Sequence, residues 1–308
     1  MRKSLSKQNI ERYISSVSTS HRVLNYVRRK WGEIPIIAKP HTQAYQNQVK
    51  NYEKQLPKLH EENQIALSQL KKNGVFITHL SSFNPELNTQ LIEQVNSVLH
   101  VLEERPTSFD RHSILMPDEI IRKHPLLYTW GLQKPLLNVV ENYIELPVAY
   151  HGAYFRRDFR NGLEVKSRQW HIDMEDYRIL KVIIYLREVK ETNGPFQYLS
   201  IEDTNMVRQI LNYTYGYLDR KQVEKAVPIE NWKSCLGRAG TVVIVDTARL
   251  LHRGKTPTNE DRYTLFYDYT SRTPRNYFYC KSSLSIDTLI KLSGEVSPEK
   301  IAYMLWRN

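Results

Sequence analysis

The first half of the chain carries its apolar residues at helical spacing. Residues 42–72 are rich in Gln, Lys, Glu and Leu, with Pro57 as the main interruption. The stretch "KKNGVFITHL" (Lys71 to Leu80) then reads as a helix end, a turn at Asn73-Gly74 and a short strand. Pro85 opens a further helix, "PELNTQLIEQVNSVLHVLEE", in which Leu87, Leu91, Val95, Val98, Leu99 and Leu102 form one stripe. The segment "PLLYTWGLQKPLLNVVENYI" has the same period, and Pro135 divides it into two shorter helices.

Near Pro147 the period changes. Short segments of strand composition follow: "VAYHGAYFRRDF", "RILKVIIYLREV", "PFQYLSI", "GTVVIVDTA" and "RYTLFYDYTSR". Turn residues separate them at Asn161-Gly162, Asn193-Gly194-Pro195, Gly237 to Gly240 and Gly254 to Asn259. Residues 202–234 interrupt the series with a more helical, Tyr-rich insert. The expected class is α+β: a helical N-terminal half packed on a C-terminal antiparallel sandwich or barrel, with no clear linker. No internal repeat or low-complexity tract is evident.

Composition adds limits. With 308 residues, 41% hydrophobic and 25% charged, the chain has the profile of a globular protein. No apolar run approaches the roughly 20 residues that cross a bilayer. Cys235 and Cys280 lack the spacing of a disulfide framework or a C-x-x-C site, which favours a reducing, cytoplasmic setting. The net charge of +11 could attract nucleic acid, acidic membrane surface or an anionic substrate, but it is spread along the chain. It concentrates only in residues 1–33, where eight Lys or Arg stand against Glu11 and Glu33. That segment is expected to be an amphipathic helix; an organellar transit peptide would have similar composition.

Chemistry enters at "QWHIDMEDYRILKVIIYLREV". On a strand, His171 and Asp173 would share one face. Imidazole nitrogen and carboxylate oxygen together suit iron, manganese or zinc. Alone, an H-x-D is more often a surface pair or a satisfied core histidine. Downstream, His252 follows a buried-type strand and could supply a third ligand. Ten residues later comes Arg262, with Thr264 on the same face of its strand. A guanidinium fork beside a hydroxyl suits a carboxylate.

The order H-x-D, a long gap, H, ten residues, R resembles the iron(II)- and 2-oxoglutarate-dependent dioxygenases. Within them the chain is most similar to the phytanoyl-CoA dioxygenase-like group. The likeness extends to "WHIDMED", "LKVIIYL", "ETNGPFQYLS" and "GTVVIVDT…HRG", and touches "KKNGVFITHL" and "VENYIELPVAYHGAYFRRD". It runs from about Leu67 to Arg272; the first 60 residues and the tail after Arg275 match nothing.

The resemblance implies a double-stranded β-helix (jelly-roll, cupin-like) core at about 147–275. That core would lie within an oxygenase domain at 67–308, preceded by a helical extension at 1–66. It implies that His171, Asp173 and His252 bind Fe(II). Arg262, with Thr264, would hold the distal carboxylate of 2-oxoglutarate. Lys181, Tyr154, Arg156 and Gln169 are further candidates for pocket walls, with solvated edge positions as the alternative for each.

The implied reaction consumes O2, converts 2-oxoglutarate to succinate and CO2, and oxidises an unactivated C–H bond. Halogenating relatives carry a small residue where Asp173 stands, so its carboxylate points to hydroxylation or desaturation. Nucleic-acid demethylases of the AlkB type carry a second arginine six residues after the first. Here that position is Asp268, which makes nucleic acid an unlikely partner.

Glu175 and Asp176 are expected to form a solvated turn, and His151 to stand at a strand edge or pocket wall. "NYTYGYLDR" is expected to pack over a pocket entrance. A small-molecule or carrier-tethered substrate follows, with the insert and the helical half as pocket walls. The basic charge is consistent with an anionic or carrier-bound one. A non-catalytic jelly roll acting as a ligand-binding scaffold is the other class of function. Oligomeric state is left open.

Overall fold

The computed structural model describes residues 35–307 together with Leu24, Val27 and Lys30. Apart from those three positions, the expected amphipathic or transit segment lies outside the described residues. The chain divides into two compact units, Met1–Lys54 and Gln55–Asn308. Within the first, the helix Pro35–Tyr52 is the main described element.

The second unit is a mixed assembly of helices and antiparallel sheet. Nine strands are described: β1 (Val75–His79), β2 (Ser113–Leu115), β3 (Val148–Asp158), β4 (Leu180–Tyr185), β5 (Phe196–Tyr198), β6 (Lys233–Cys235), β7 (Thr241–Asp246), β8 (His252–Gly254) and β9 (Arg262–Ser271). A six-stranded sheet has the order β1-β7-β4-β9-β3-β2, and a three-stranded sheet the order β6-β5-β8. All pairings are antiparallel. The five strand segments expected after Pro147 supply β3, β4, β5, β7 and β9.

The helices form where the apolar spacing places them. The helix Pro85–Val98 starts at the Asn84 cap, whose side chain accepts from the Leu87 amide (3.0 Å). Leu91, Val95, Val98 and Leu102 of the expected stripe are fully buried. Pro135 stands at the start of the helix Lys134–Ile144, where its missing N–H has no helical partner to lose. The segment before it, Leu126–Leu132, lies on the outer face of the large sheet. There Trp130 stacks on Tyr267 with ring centroids 5.2 Å apart, and the Tyr269 hydroxyl donates to the Gly131 carbonyl (2.8 Å).

The inner face of the large sheet is covered by the small one. Ile183, Tyr185, Val243 and Val245 join Phe196 and Cys235 in a single apolar cluster. The Tyr185 hydroxyl ties the two sheets together, donating to the Cys235 carbonyl (2.8 Å) and accepting from the Phe196 amide (3.1 Å). Burying those apolar faces against each other is the main force holding the sheets together.

The insert builds a cluster of its own. The helices Ile201–Ile210 and Arg220–Glu224 bring Val207, Val223 and Val227 onto Trp170, Ile172 and Leu251. Beyond β9 the chain turns helical again, at Ile286–Ser293 and Pro298–Met304.

Candidate metal centre

His171, Asp173 and His252 converge, each offering one ligand atom within 4.8 Å of the others. The route differs from the expected strand. His171 belongs to an isolated bridge with His252, and Asp173 follows in irregular chain, its amide donating to the Thr247 carbonyl (3.0 Å). The bridge is short because the insert takes over: the Trp170 amide donates to Leu218 (3.0 Å) and the Ile172 amide to the Tyr213 hydroxyl (3.1 Å). The residue between the two expected ligands is thus fixed from outside the sheets.

Both imidazoles are oriented alike. His171 Nδ1 lies 2.9 Å from the Gln169 carbonyl, and His252 Nδ1 lies 2.9 Å from the Leu250 carbonyl. A carbonyl only accepts, so each Nδ1 carries the proton and each Nε2 presents a lone pair. His171 Nε2 is 3.6 Å from Asp173 Oδ1, and His252 Nε2 is 3.8 Å from Asp173 Oδ2. Burial and the neighbouring His171 hold His252 down to about 3, and burial also lowers His171. Both are therefore neutral near pH 7, as metal ligands must be. Burial pushes Asp173 up, but the Lys181 ammonium, 2.8 Å from Oδ2, outweighs it and keeps the carboxylate ionised.

Strand register explains the rest of the site. Across β3, β9 and β4, the inward rows are Asp158–Arg262, Arg156–Thr264–Tyr185, Tyr154–Phe266–Ile183 and Asp268–Lys181. Arg262 and Thr264 do share a face. A cavity of about 70 Å³ runs along this surface between His171 and His252 at one end and Arg262 at the other, with Arg156, Lys181, Phe196 and Phe266 in its walls. Lys181 and Arg156 are wall residues and not solvated edge positions, because β4 and β3 are interior strands of the sheet.

Arg262 is not a free fork. Its Nη2 and Nε donate to Asp158 Oδ2 at 2.9 and 3.3 Å, and Nη1 donates to the Gly194 carbonyl. Arg156 Nε donates to the same oxygen (3.0 Å), and its guanidinium lies 4.5 Å over the Phe266 ring. Burial pushes Asp158 up, yet Arg156 and Arg262 hold it at about 2. Asp158 thus aims two guanidinium groups at the cavity end. Gly254 is part of that fit: a Cβ there would sit 2.9 Å from Arg262 Nη2. The Thr264 hydroxyl is buried beside them without a hydrogen-bond partner.

One expectation needs correcting. Glu175 and Asp176 are not a solvated turn. Asp176 is buried and accepts from the amides of Tyr177 (2.8 Å), Ser271 (2.8 Å) and Arg275 (3.2 Å), pinning the H-x-D segment to the end of β9. Glu175 faces a second cavity, of about 210 Å³, with Lys181, Asp268, Tyr154 and His151. Burial, then the Asp173 charge, raise it to about 7. His151 takes its place as a pocket wall.

Sequence reasoning also missed Asp158. It alternates with Arg156 in "FRRDF", but its pairing with Arg262 depends on a strand register that the sequence does not display. Tyr217, from the stretch expected over the pocket entrance, places its ring 5.3 Å from that of His171.

No family model matches the chain, and no curated protein does. Among solved structures it is similar to HygX from Streptomyces hygroscopicus with nickel, 2-oxoglutarate and hygromycin B bound. Identity there is 16% over 69% of this chain and 88% of that one, with a TM-score of 0.46. It is also similar to EctD from S. alaskensis with 2-oxoglutarate and 5-hydroxyectoine, at 19% identity over 67% and 75% and a TM-score of 0.47. A third is SnoN, a non-heme alpha ketoglutarate dependent epimerase from nogalamycin biosynthesis, at 12% identity over 69% and 83% and a TM-score of 0.41. With identities below 25% and TM-scores below 0.5, function has to be read from this chain's own residues.

Proposed function

We propose that the chain is a non-haem Fe(II)- and 2-oxoglutarate-dependent oxygenase that hydroxylates or desaturates a C–H bond of a small-molecule or carrier-tethered metabolite. In this reading the two packed sheets are a jelly-roll core. One observation carries it: a preformed His171–Asp173–His252 set opens onto a cavity that ends in Arg262 and Arg156, with an unpartnered Thr264 hydroxyl buried on the same strand face as Arg262.

The residues fit both partners. Two neutral imidazole Nε2 atoms and one carboxylate are the donor set of the facial iron site, which leaves coordination positions open. The far end presents guanidinium groups, which suit the distal carboxylate of a dicarboxylic keto acid whose other end would reach the metal. When bound, iron with 2-oxoglutarate and O2 supplies the oxidising power for the C–H bond.

The chain's own part is placement. The backbone bridge fixes the two imidazoles, Asp158 orients the arginines, and Phe196, Phe266 and Ile183 exclude water from the cavity between. Lys181 compensates the Asp173 charge.

The test is anaerobic addition of Fe(II) and then 2-oxoglutarate to metal-free protein. A weak visible charge-transfer band is expected, absent in His171→Ala and diminished in Arg262→Ala. A wild-type protein that gives no band at saturating 2-oxoglutarate overturns the oxygenase reading and leaves a ligand-binding scaffold.

A further inference from the structure

The tail beyond Arg275 has a task at the second cavity. Asn276 fastens it to the H-x-D segment: its amide donates to the Glu175 carbonyl (2.8 Å) and its side chain to the Met174 carbonyl (2.6 Å). At the other end, the Ser283 amide donates to the His151 carbonyl (2.7 Å). Between these anchors Cys280 and Lys281 form one wall of the 210 Å³ cavity, opposite His151, Tyr154, Glu175 and Asp268. Lys181 lines this cavity and the arginine-ended one, and its ammonium stands 2.8 Å from Asp173.

Beside Lys181 and Lys281, the cavity presents three groups that accept. The Thr270 hydroxyl donates to the Ser271 carbonyl (2.9 Å), so its contact with His151 Nε2 (2.8 Å) uses the histidine's hydrogen. His151 Nδ1 is then a bare lone pair; it is buried in a residue only 5% exposed and has no partner. Asp268 Oδ1 is likewise buried without a donor. Glu175 Oε2 accepts from the adjacent Met174 amide (2.9 Å), and no side-chain cation pairs with Glu175 among the described residues. Of the two lysines that line the cavity, Lys181 stands 2.8 Å from Asp173 and 3.8 Å from Asp268. The two desolvated acceptors without donors, His151 Nδ1 and Asp268 Oδ1, are costly, and a donor-rich cation is a ligand that would satisfy them beside the Glu175 carboxyl.

We propose that this cavity is the substrate compartment and that it selects a small organic cation, an ammonium or guanidinium compound, held by Glu175, Asp268 and His151 Nδ1 under the 276–283 segment. The inference rests on the oxygenase reading, in which this cavity reaches the candidate ligand Asp173 through Lys181. A volume of about 210 Å³ lies below the ~300–1,000 Å³ of drug-sized sites, so the ligand is small. The pocket thus opposes the basic balance of the chain. Its rival for an anionic substrate is a groove of about 360 Å³ along Ile172–Met174, lined by Arg208, Arg249 and Arg275.

The test uses the anaerobic Fe(II)–2-oxoglutarate complex of the full chain and three size-matched probes: pentylammonium, pentanoate and pentan-1-ol. Pentylammonium is expected to perturb the visible band and to bind at least about tenfold tighter by calorimetry than the other two. Glu175→Gln and Asp268→Asn should each weaken it by about tenfold while the band still forms. Tighter pentanoate binding, no pentylammonium binding, or an affinity unchanged in both variants overturns the inference. A missing band overturns the oxygenase reading instead. Should Asp268→Asn fail to fold, Glu175→Gln and the wild-type probe comparison decide.

Discussion

His171 and His252 face each other across a single antiparallel bridge, each amide donating to the other's carbonyl at 2.9 and 3.0 Å, with their rings 4.3 Å apart. The backbone therefore positions two expected ligands before any metal arrives. A site built this way contributes binding energy without being needed for folding. Chelation should lower the melting temperature of metal-loaded protein by an amount set by mass action, about 2.7 kcal/mol at a metal concentration 100 times Kd. It should not unfold the chain. His252→Ala should weaken Fe(II) binding by at least about 100-fold, since even supporting partners of ligands account for 10–100-fold. Circular dichroism with and without chelator checks the first outcome, and an anaerobic metal titration checks the second.

Asp158 and Arg262 are direct register partners on β3 and β9, and Arg156 shares the same oxygen. Removing the carboxylate leaves two guanidinium groups buried without it. Asp158→Asn should cost about 3–5 kcal/mol in urea unfolding. Arg262→Ala should raise the Kd for 2-oxoglutarate at least about tenfold while leaving the Fe(II) titration unchanged. Arg262→Lys should not restore it, because an ammonium lacks the planar fork. Equal loss of metal and 2-oxoglutarate binding in Arg262→Ala would show instead that the residue supports the whole site.

What the sequence displayed was whatever depends on local period and spacing. The alternation in "RYTLFYDYTSR" put Arg262, Thr264 and Phe266 on one face, and the structure has them there. The stripe from Leu91 to Leu102 was readable because helix period and burial coincide. Asp158 was not, because its meaning lies in pairing with a residue 104 positions away. Asp176 failed for a related reason: a carboxylate two or three residues after a candidate ligand looks solvated until the backbone amides of residues 271 and 275 are brought to it. The isolated bridge replacing the expected H-x-D strand reflects competition from the insert, whose Leu218 and Tyr213 take the hydrogen bonds of Trp170 and Ile172.

His151 sets a pH dependence with a definite sign. Burial, chiefly, holds it down to about 3 in the folded chain, against a value near 6.5 when exposed. A depressed folded value means that the unfolded chain binds the extra proton first. The contribution is fully present above pH 6.5 and is lost as pH falls toward 3, by up to about 1.4 kcal/mol per pH unit. In metal-free protein, urea midpoints between pH 6.5 and 4 should fall less steeply for His151→Gln than for wild type. Parallel slopes would mean that the imidazole is not kept neutral.

Gly152 shows how tightly the tail is seated. Its φ of +110° disfavours any side chain, and a Cβ would lie 2.0 Å from Ser283 Oγ and 2.8 Å from Tyr128 Cε2. Gly152→Ala should therefore destabilise the fold by about 2 kcal/mol or more and lift the 276–283 segment, opening the chain near Lys281 to limited proteolysis. Adding Ser283→Ala removes the nearest clash but leaves Tyr128 and the backbone strain. The double variant should recover part of the melting temperature and regain protease resistance near Lys281. Recovery of the full melting temperature would place the entire cost on the Ser283 hydroxyl, and no recovery would place it on the backbone and Tyr128.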